Sequence, residues 1–217
     1  MRPLMRLAGH HFFAPTYTGL GDRAHLARPD IDLSTHVQDV LAMIEIEDLN
    51  DVVLLGHSYG GMVATGVADK AKNRIAKVVY IDAFVPRDGQ SLFDLVGPKG
   101  EANMRAGAAK DGDGWKVPPN PMPTDTSPED VAWALPRRHP QPIRTFEQKI
   151  RLGSEEPPPR HYIYAKKNGP GDVFRQFAER ARKEPGWKYW EIDASHSPHI
   201  TCPDTLMSLL TRIMADT

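Results

Sequence analysis

Strand-sized apolar runs alternate with helix-patterned segments along this chain, and that alternation constrains its fold more than any other feature. "DVVLLG" at 51–56 and "AKVVYID" at 76–82 are continuous apolar runs bounded by turn residues. Such runs suit strands covered on both faces. "HYIYA" at 161–165 and "WKYWEID" at 187–193 read as strands too, and "HHFFA" at 10–14 as a short one ending near Pro15. Between them lie helical patterns. Val37, Val40, Leu41 and Ile44 share one face, and Thr35 and Gln38 have capping-box spacing at its start. "GGMVATGVADKA" suits a helix packed closely on a sheet. Val173, Phe174, Phe177, Ala178 and Ala181 form another inner face, and Leu206, Leu209, Leu210 and Ile213 a last one. Strand and helix in alternation predict an α/β fold, a mostly parallel sheet with helices on both faces.

The segment from about 86 to 150 breaks the rhythm. It holds many of the 20 prolines, together with Trp115 and Trp133. "WKVPPNPMPTDT" reads as irregular, leading into a short helix at Ser127–Leu135, with Pro128, Glu129 and Asp130 in its first turn. The segment lacks the periodic apolar sequence that a separate core needs. Residues 1–217 are therefore expected to be a single domain carrying a lid or cap insertion at 86–150.

Composition excludes several function classes. Lys+Arg 27 against Asp+Glu 28 offers no electrostatic footprint for nucleic acid or an anionic membrane. The single cysteine, Cys202, cannot form an intrachain disulfide. No cysteine or histidine cluster has metal-site spacing. The apolar runs are too short to span a membrane, and Met1–Ala8 is not followed by the apolar core of a signal peptide. A cytoplasmic protein without cofactor or metal is expected, with a small-molecule partner and with homodimer formation left open.

The chemistry-bearing stretch is "VLLGHSYGGM", with Ser58 in a G-x-S-x-G setting. It sits directly after a buried strand and before a small-residue helix, where a sharp turn projects a serine hydroxyl above the sheet. Gly56 and Gly60 are expected to permit the close strand–helix approach. The backbone N–H of Tyr59, at the helix N-terminus, is placed to bind an oxyanion. A serine needs a base. "EIDASHSPHITCPD" offers His196 first after the last strand and His199 as the other candidate. The acid that orients the imidazole is assigned to Asp82, a carboxylate ending an otherwise apolar strand and costly to bury unpaired. The alternative is Asp172, which also reads as a helix N-cap. Asn168 stands nearby but is neutral. His57 is expected to point away from the serine.

These residues resemble the α/β-hydrolase superfamily, and within it the small bacterial esterase-like branch related to salicylate methyl esterases and hydroxynitrile lyases. "FAPTYTGLGDRAHL", "GHSYGGMVATGVAD", "VVYIDAFVPRDGQSL" and "SHSPHITCPDTL" carry the resemblance. It implies acyl-ester chemistry without a cofactor: a serine hydrolase cleaving carboxylic esters through Ser58, His196 and Asp82. Phe84 and Trp133 are expected in the substrate pocket. Ser197, where the lyases have a lysine after the catalytic histidine, argues against cyanohydrin cleavage. Lactone or carbon–carbon bond hydrolysis with the same triad, and an inactive hydrolase-fold binding protein, are the alternatives. The superfamily also has strands before the position of "HHFFAP", one of them central and ending in an H-G loop that supplies a second oxyanion N–H. This sequence holds no such loop, so the fold is expected to look truncated at its N-terminus, with either a longer natural chain or a sheet short of a central strand.

Overall fold

Four of the five apolar runs become strands. The computed structural model describes residues 1–153 and 156–216. In chain order the elements are α1 (Arg2–Leu7), α2 (Leu33–Ile46), β1 (Val52–Ser58), α3 (Gly60–Lys70) and β2 (Ile75–Ala83). Then come α4 (Leu92–Asp111), β3 (Lys116–Val117), α5 (Pro128–Ala134), β4 (Gln141–Pro142) and α6 (Arg144–Glu147). The alternation resumes with β5 (Arg160–Ala165), α7 (Arg175–Lys183), β6 (Trp187–Ile192), α8 (Pro198–Thr201) and α9 (Pro203–Ala215).

The main sheet has the order β1-β2-β5-β6, with every pairing parallel. The central strands are apolar on both faces because both faces are covered. Val78 and Tyr80 of β2 and Tyr162 of β5 pack beneath α2, α3 and α7, with Val37, Val63, Val67 and Phe177. Val79, Ile81 and Ile163 point the other way, against Leu206, Leu210 and Ile213 of α9 and Met5 of α1. Parallel strands end their C-terminal edges on the same side, so β1, β2 and the loop after β6 converge there.

The 10–14 segment is not a strand. Its residues run outside any ladder, across a cleft of about 500 Å³ from the outer edge of β1, with Val52, Val53, Leu54 and Leu55 on the opposite wall. A strand is defined by its hydrogen-bonded neighbour, and among the described residues β1 pairs with β2 alone, leaving 10–14 without a ladder. Three other readings are corrected. The cap of α2 is Asp32, whose carboxylate accepts from Thr35 N–H while the Thr35 hydroxyl faces the Asp32 N–H. Helix α7 begins at Arg175, after the turn at 171–174. Within 86–150, a 20-residue helical stretch, α4, starts at Ser91 with a capping box to Asp94. Gly97 (φ 74°) and Pro98 kink it, which obscured its periodicity.

The elbow after β1 depends on glycines, though not on the expected pair. A Cβ on Gly56 would lie 2.8 Å from the Gly60 carbonyl oxygen, whereas one on Gly60 would meet nothing closer than the Tyr17 hydroxyl at 3.6 Å. The tight contact belongs to Gly61, where a Cβ would fall 2.1 Å from the Phe84 carbonyl oxygen. Gly61→Ala is expected to destabilise the protein by about 3 kcal/mol or more, because backbone must move, while Gly60→Ala stays within about 1 kcal/mol of wild type. Urea unfolding of the two variants checks this ranking.

On β5, buried His161 accepts a hydrogen bond from Trp190 Nε1 through Nδ1 (3.1 Å), and burial pushes its pKa down to about 4. The unfolded chain therefore binds the proton first. Stability is full above about pH 6.5 and falls as pH drops toward 4. His161→Gln is expected to remove roughly 1 kcal/mol per pH unit from that slope, measured by urea unfolding between pH 6.5 and 4.5.

Candidate active site

Two carboxyl-terminal strand ends carry residues in the left-handed region. Ser58 ends β1 with φ 55°, and Asp82 lies near the end of β2 with φ 42°. Non-glycine residues enter this region rarely and at a cost. For Ser58 the reason is the hairpin-sharp passage from β1 into α3. For Asp82 it is a break in register: His57 pairs with Ile81, but Ser58 pairs with Ala83. Asp82 is the extra residue of that bulge, and bulges re-aim side chains. The Phe84 N–H donates to the Ser58 carbonyl (3.1 Å), closing the pairing beyond the bulge.

The structure brings Ser58, His196 and Asp82 together. Ser58 Oγ lies 2.9 Å from His196 Nε2, and His196 Nδ1 lies 2.7 Å from Asp82 Oδ2. A carboxylate only accepts, so Nδ1 carries the proton and Nε2 is free to accept from the serine hydroxyl. Asp82 is fully buried, and Ala165 N–H also donates to its Oδ1 (3.2 Å). The His196 ring stacks on Phe174, with centroids 4.6 Å apart and planes at 13°. That packing and the Asp82 bond hold the imidazole in one orientation.

The neighbouring histidines serve other ends. The His57 Nε2–H donates to the His196 carbonyl oxygen (2.6 Å), tying the serine strand to the histidine loop. Burial, with His199 and His196 beside it, holds its pKa well below the usual histidine range, so it stays neutral. His199 packs against His57 at 4.6 Å between centroids, and burial pushes it to about 4. Among the described residues, His196 is the histidine within hydrogen-bond distance of Ser58 Oγ.

The residue after the serine is anchored on the opposite side. Tyr59 caps α3, and its hydroxyl donates to His36 Nδ1 (2.8 Å), because His36 Nε2–H is spent on the Thr18 carbonyl (3.0 Å). Tyr17 stacks on His36 at 4.8 Å, and Asp39 gathers Thr18 and Arg23. Sequence reasoning missed fully buried His36. Its place on the apolar face of α2, one residue before Val37, was the available signal.

Asp172, the alternative acid, does not reach His196. Its carboxylate accepts from the Tyr164 hydroxyl (2.6 Å) and from Phe174 N–H (2.9 Å), just ahead of α7. Asn168, set aside in the sequence for want of charge, touches both carboxylates (2.9 and 3.1 Å to Asp82, 3.4 Å to Asp172). Phe84 is a core residue: its ring packs on Phe174 and Phe177, and its 5% exposure leaves no face for a ligand. Trp133 is 57% exposed and does line the cleft above Ser58, its ring under the Arg137 guanidinium.

That cleft, about 660 Å³, runs from Ser58 and His196 to Asn120–Thr124, Trp133, Arg138 and Asn168. Among the described residues no group of histidine, cysteine or carboxylate side chains is arranged to hold a metal, and no helix is long and apolar enough to cross a membrane. The arrangement can activate a hydroxyl, stabilise the imidazolium that results, and offer an N–H at the head of α3 to a developing oxyanion.

Residues 1–209 match the family described as the alpha/beta hydrolase family. A carbendazim hydrolyzing esterase from a Nocardioides species is 39% identical over 95% of this chain and 89% of its own length. A pheophorbidase from Raphanus sativus is 25% identical over 98% of this chain and 86% of its own. Among solved structures, an extracellular alpha/beta-hydrolase from a Paenibacillus species superposes with a TM-score of 0.81 at 23% identity, covering 97% of this chain and 90% of that one. Fold, the strand–elbow–helix setting of Ser58 and these likenesses agree: the chain belongs to the alpha/beta hydrolase family and is a carboxylesterase-like hydrolase.

Proposed function

We propose that the protein is a serine hydrolase that cleaves small carboxylic esters through an acyl-enzyme. The observation that carries this reading is the unbroken chain from Ser58 Oγ through His196 to Asp82, at 2.9 and 2.7 Å. Ser58 attacks the acyl carbon as His196 Nε2 takes its proton. The Tyr59 N–H binds the oxyanion, and Asp82 stabilises the imidazolium. His196 returns the proton to the leaving alkoxide, and water then repeats the sequence on the acyl-enzyme. The 86–150 insertion acts as the lid, with Trp133 and Arg138 on the substrate side. The esterase relative named for carbendazim makes that compound a specific substrate to try beside simple esters.

A second reading, a hydrolase fold without turnover, draws on the open outer edge of β1 and its cleft. A fluorophosphonate probe separates the two. Labelling confined to Ser58 in the folded protein supports the enzyme, and no labelling supports the binding protein.

On p-nitrophenyl acetate, Ser58→Ala is expected to lower kcat by about 10⁴-fold or more. Asp82→Asn is expected to cost roughly 10³–10⁴-fold, since an amide fixes the wrong tautomer, while Asp172→Asn costs about 10-fold or less. A reversed ranking of the two aspartates removes Asp82 from the triad.

A further inference from the structure

One side chain joins the two buried carboxylates beside His196. Asn168 Nδ2 lies 2.9 Å from Asp82 Oδ2, 3.1 Å from Asp82 Oδ1 and 3.4 Å from Asp172 Oδ1. We propose that Asn168 is a positioning residue for catalysis: its amide clamps the Asp82 carboxylate on His196, and Asp172 holds the amide in place. The inference rests on the serine-hydrolase reading above.

Asp82 Oδ2 already receives His196 Nδ1 at 2.7 Å, and Oδ1 receives Ala165 N–H at 3.2 Å. Each oxygen would otherwise have one donor, leaving the carboxylate free to rock about its Cβ–Cγ bond. The Asn168 amide spans both oxygens and removes that freedom. Its orientation follows from chemistry, because turning the amide oxygen inward would set acceptor against acceptor on both aspartates. Asp172 is itself well fixed. Its side chain is 6% exposed and takes the Tyr164 hydroxyl at 2.6 Å and Phe174 N–H at 2.9 Å. The chain of contacts thus runs Tyr164, Asp172, Asn168, Asp82, His196, Ser58.

Neutrality is what the position requires. A lysine or arginine at 168 would compete with the imidazolium for Asp82, and a carboxylate would repel it. An amide supplies two donors to the pair of carboxylates without adding charge. The adjacent Lys167 is directed elsewhere, 3.1 Å from Asp193.

The test combines turnover with a spectroscopic readout of the dyad. Asn168→Ala is expected to lower kcat on p-nitrophenyl acetate by roughly 10- to 100-fold with KM within about 2-fold, the loss for a hydrogen bond to a charged group. The low-field proton resonance of His196 Nδ1 is expected to shift or broaden in the same variant. Asp172→Asn is expected to lose less, and the double variant to be no worse than Asn168→Ala, since Asp172 acts through Asn168. An unchanged kcat in Asn168→Ala, an unchanged resonance, or losses that multiply in the double variant each overturn the proposal. If circular dichroism shows the alanine variant unfolded, Asn168→Ser is read by the same criteria. Wild-type protein without turnover would end the hydrolase reading, and the resonance would then decide the clamp alone.

Discussion

The site depends on a mutual lock between two strained strand ends. Ser58 and Asp82 both occupy the left-handed region, at φ 55° and 42°, a cost of about 1–3 kcal/mol each. Such conformations persist only where the surroundings over-determine them. Here parallel pairing of β1 and β2 continues up to His57 and Ile81, skips Asp82, and resumes with Ser58 opposite Ala83. Phe84 N–H then bonds the Ser58 carbonyl, while Gly61 lets the Phe84 carbonyl press directly on α3. The elbow and the bulge hold each other, and together they aim a hydroxyl and a carboxylate at the same imidazole.

Around that lock the electrostatics are economical. Asp82 is a fully buried carboxylate, which is tolerable because donors surround it: His196, Ala165 N–H and the Asn168 amide. Of the three clustered histidines, His57 and His199 are kept neutral by burial. No second cation therefore stands beside His196 when it accepts the serine proton. Phe174 fixes the ring plane from one side, and the His57 bond to the His196 carbonyl fixes the loop.

Much of this was legible in the sequence, because the deciding features are local. Continuous apolar runs marked β1, β2, β5 and β6, and G-x-S-x-G between strand and helix marked Ser58. Asp82 could be found because a carboxylate closing an apolar strand demands a partner. What escaped was relational. That Gly61 rather than Gly60 makes the tight contact depends on where Phe84 comes to lie. Phe84 itself looked like a pocket residue and is core, since its neighbours Phe174 and Phe177 arrive from α7 and the turn before it. The 10–14 run has strand composition, but a ladder also needs a neighbour within reach. Asn168 was passed over for lacking charge, although a neutral donor is what two adjacent carboxylates call for.

A serine nucleophile makes the chemistry covalent, and one observation reaches it directly. Intact-protein and peptide mass spectrometry after rapid acid quenching of a p-nitrophenyl ester reaction should find one acyl group per chain, on the peptide containing Ser58. It should appear with a burst of p-nitrophenol matching the enzyme concentration. Hydrolysis with no burst and no acylated Ser58, or acylation at another residue, would contradict it.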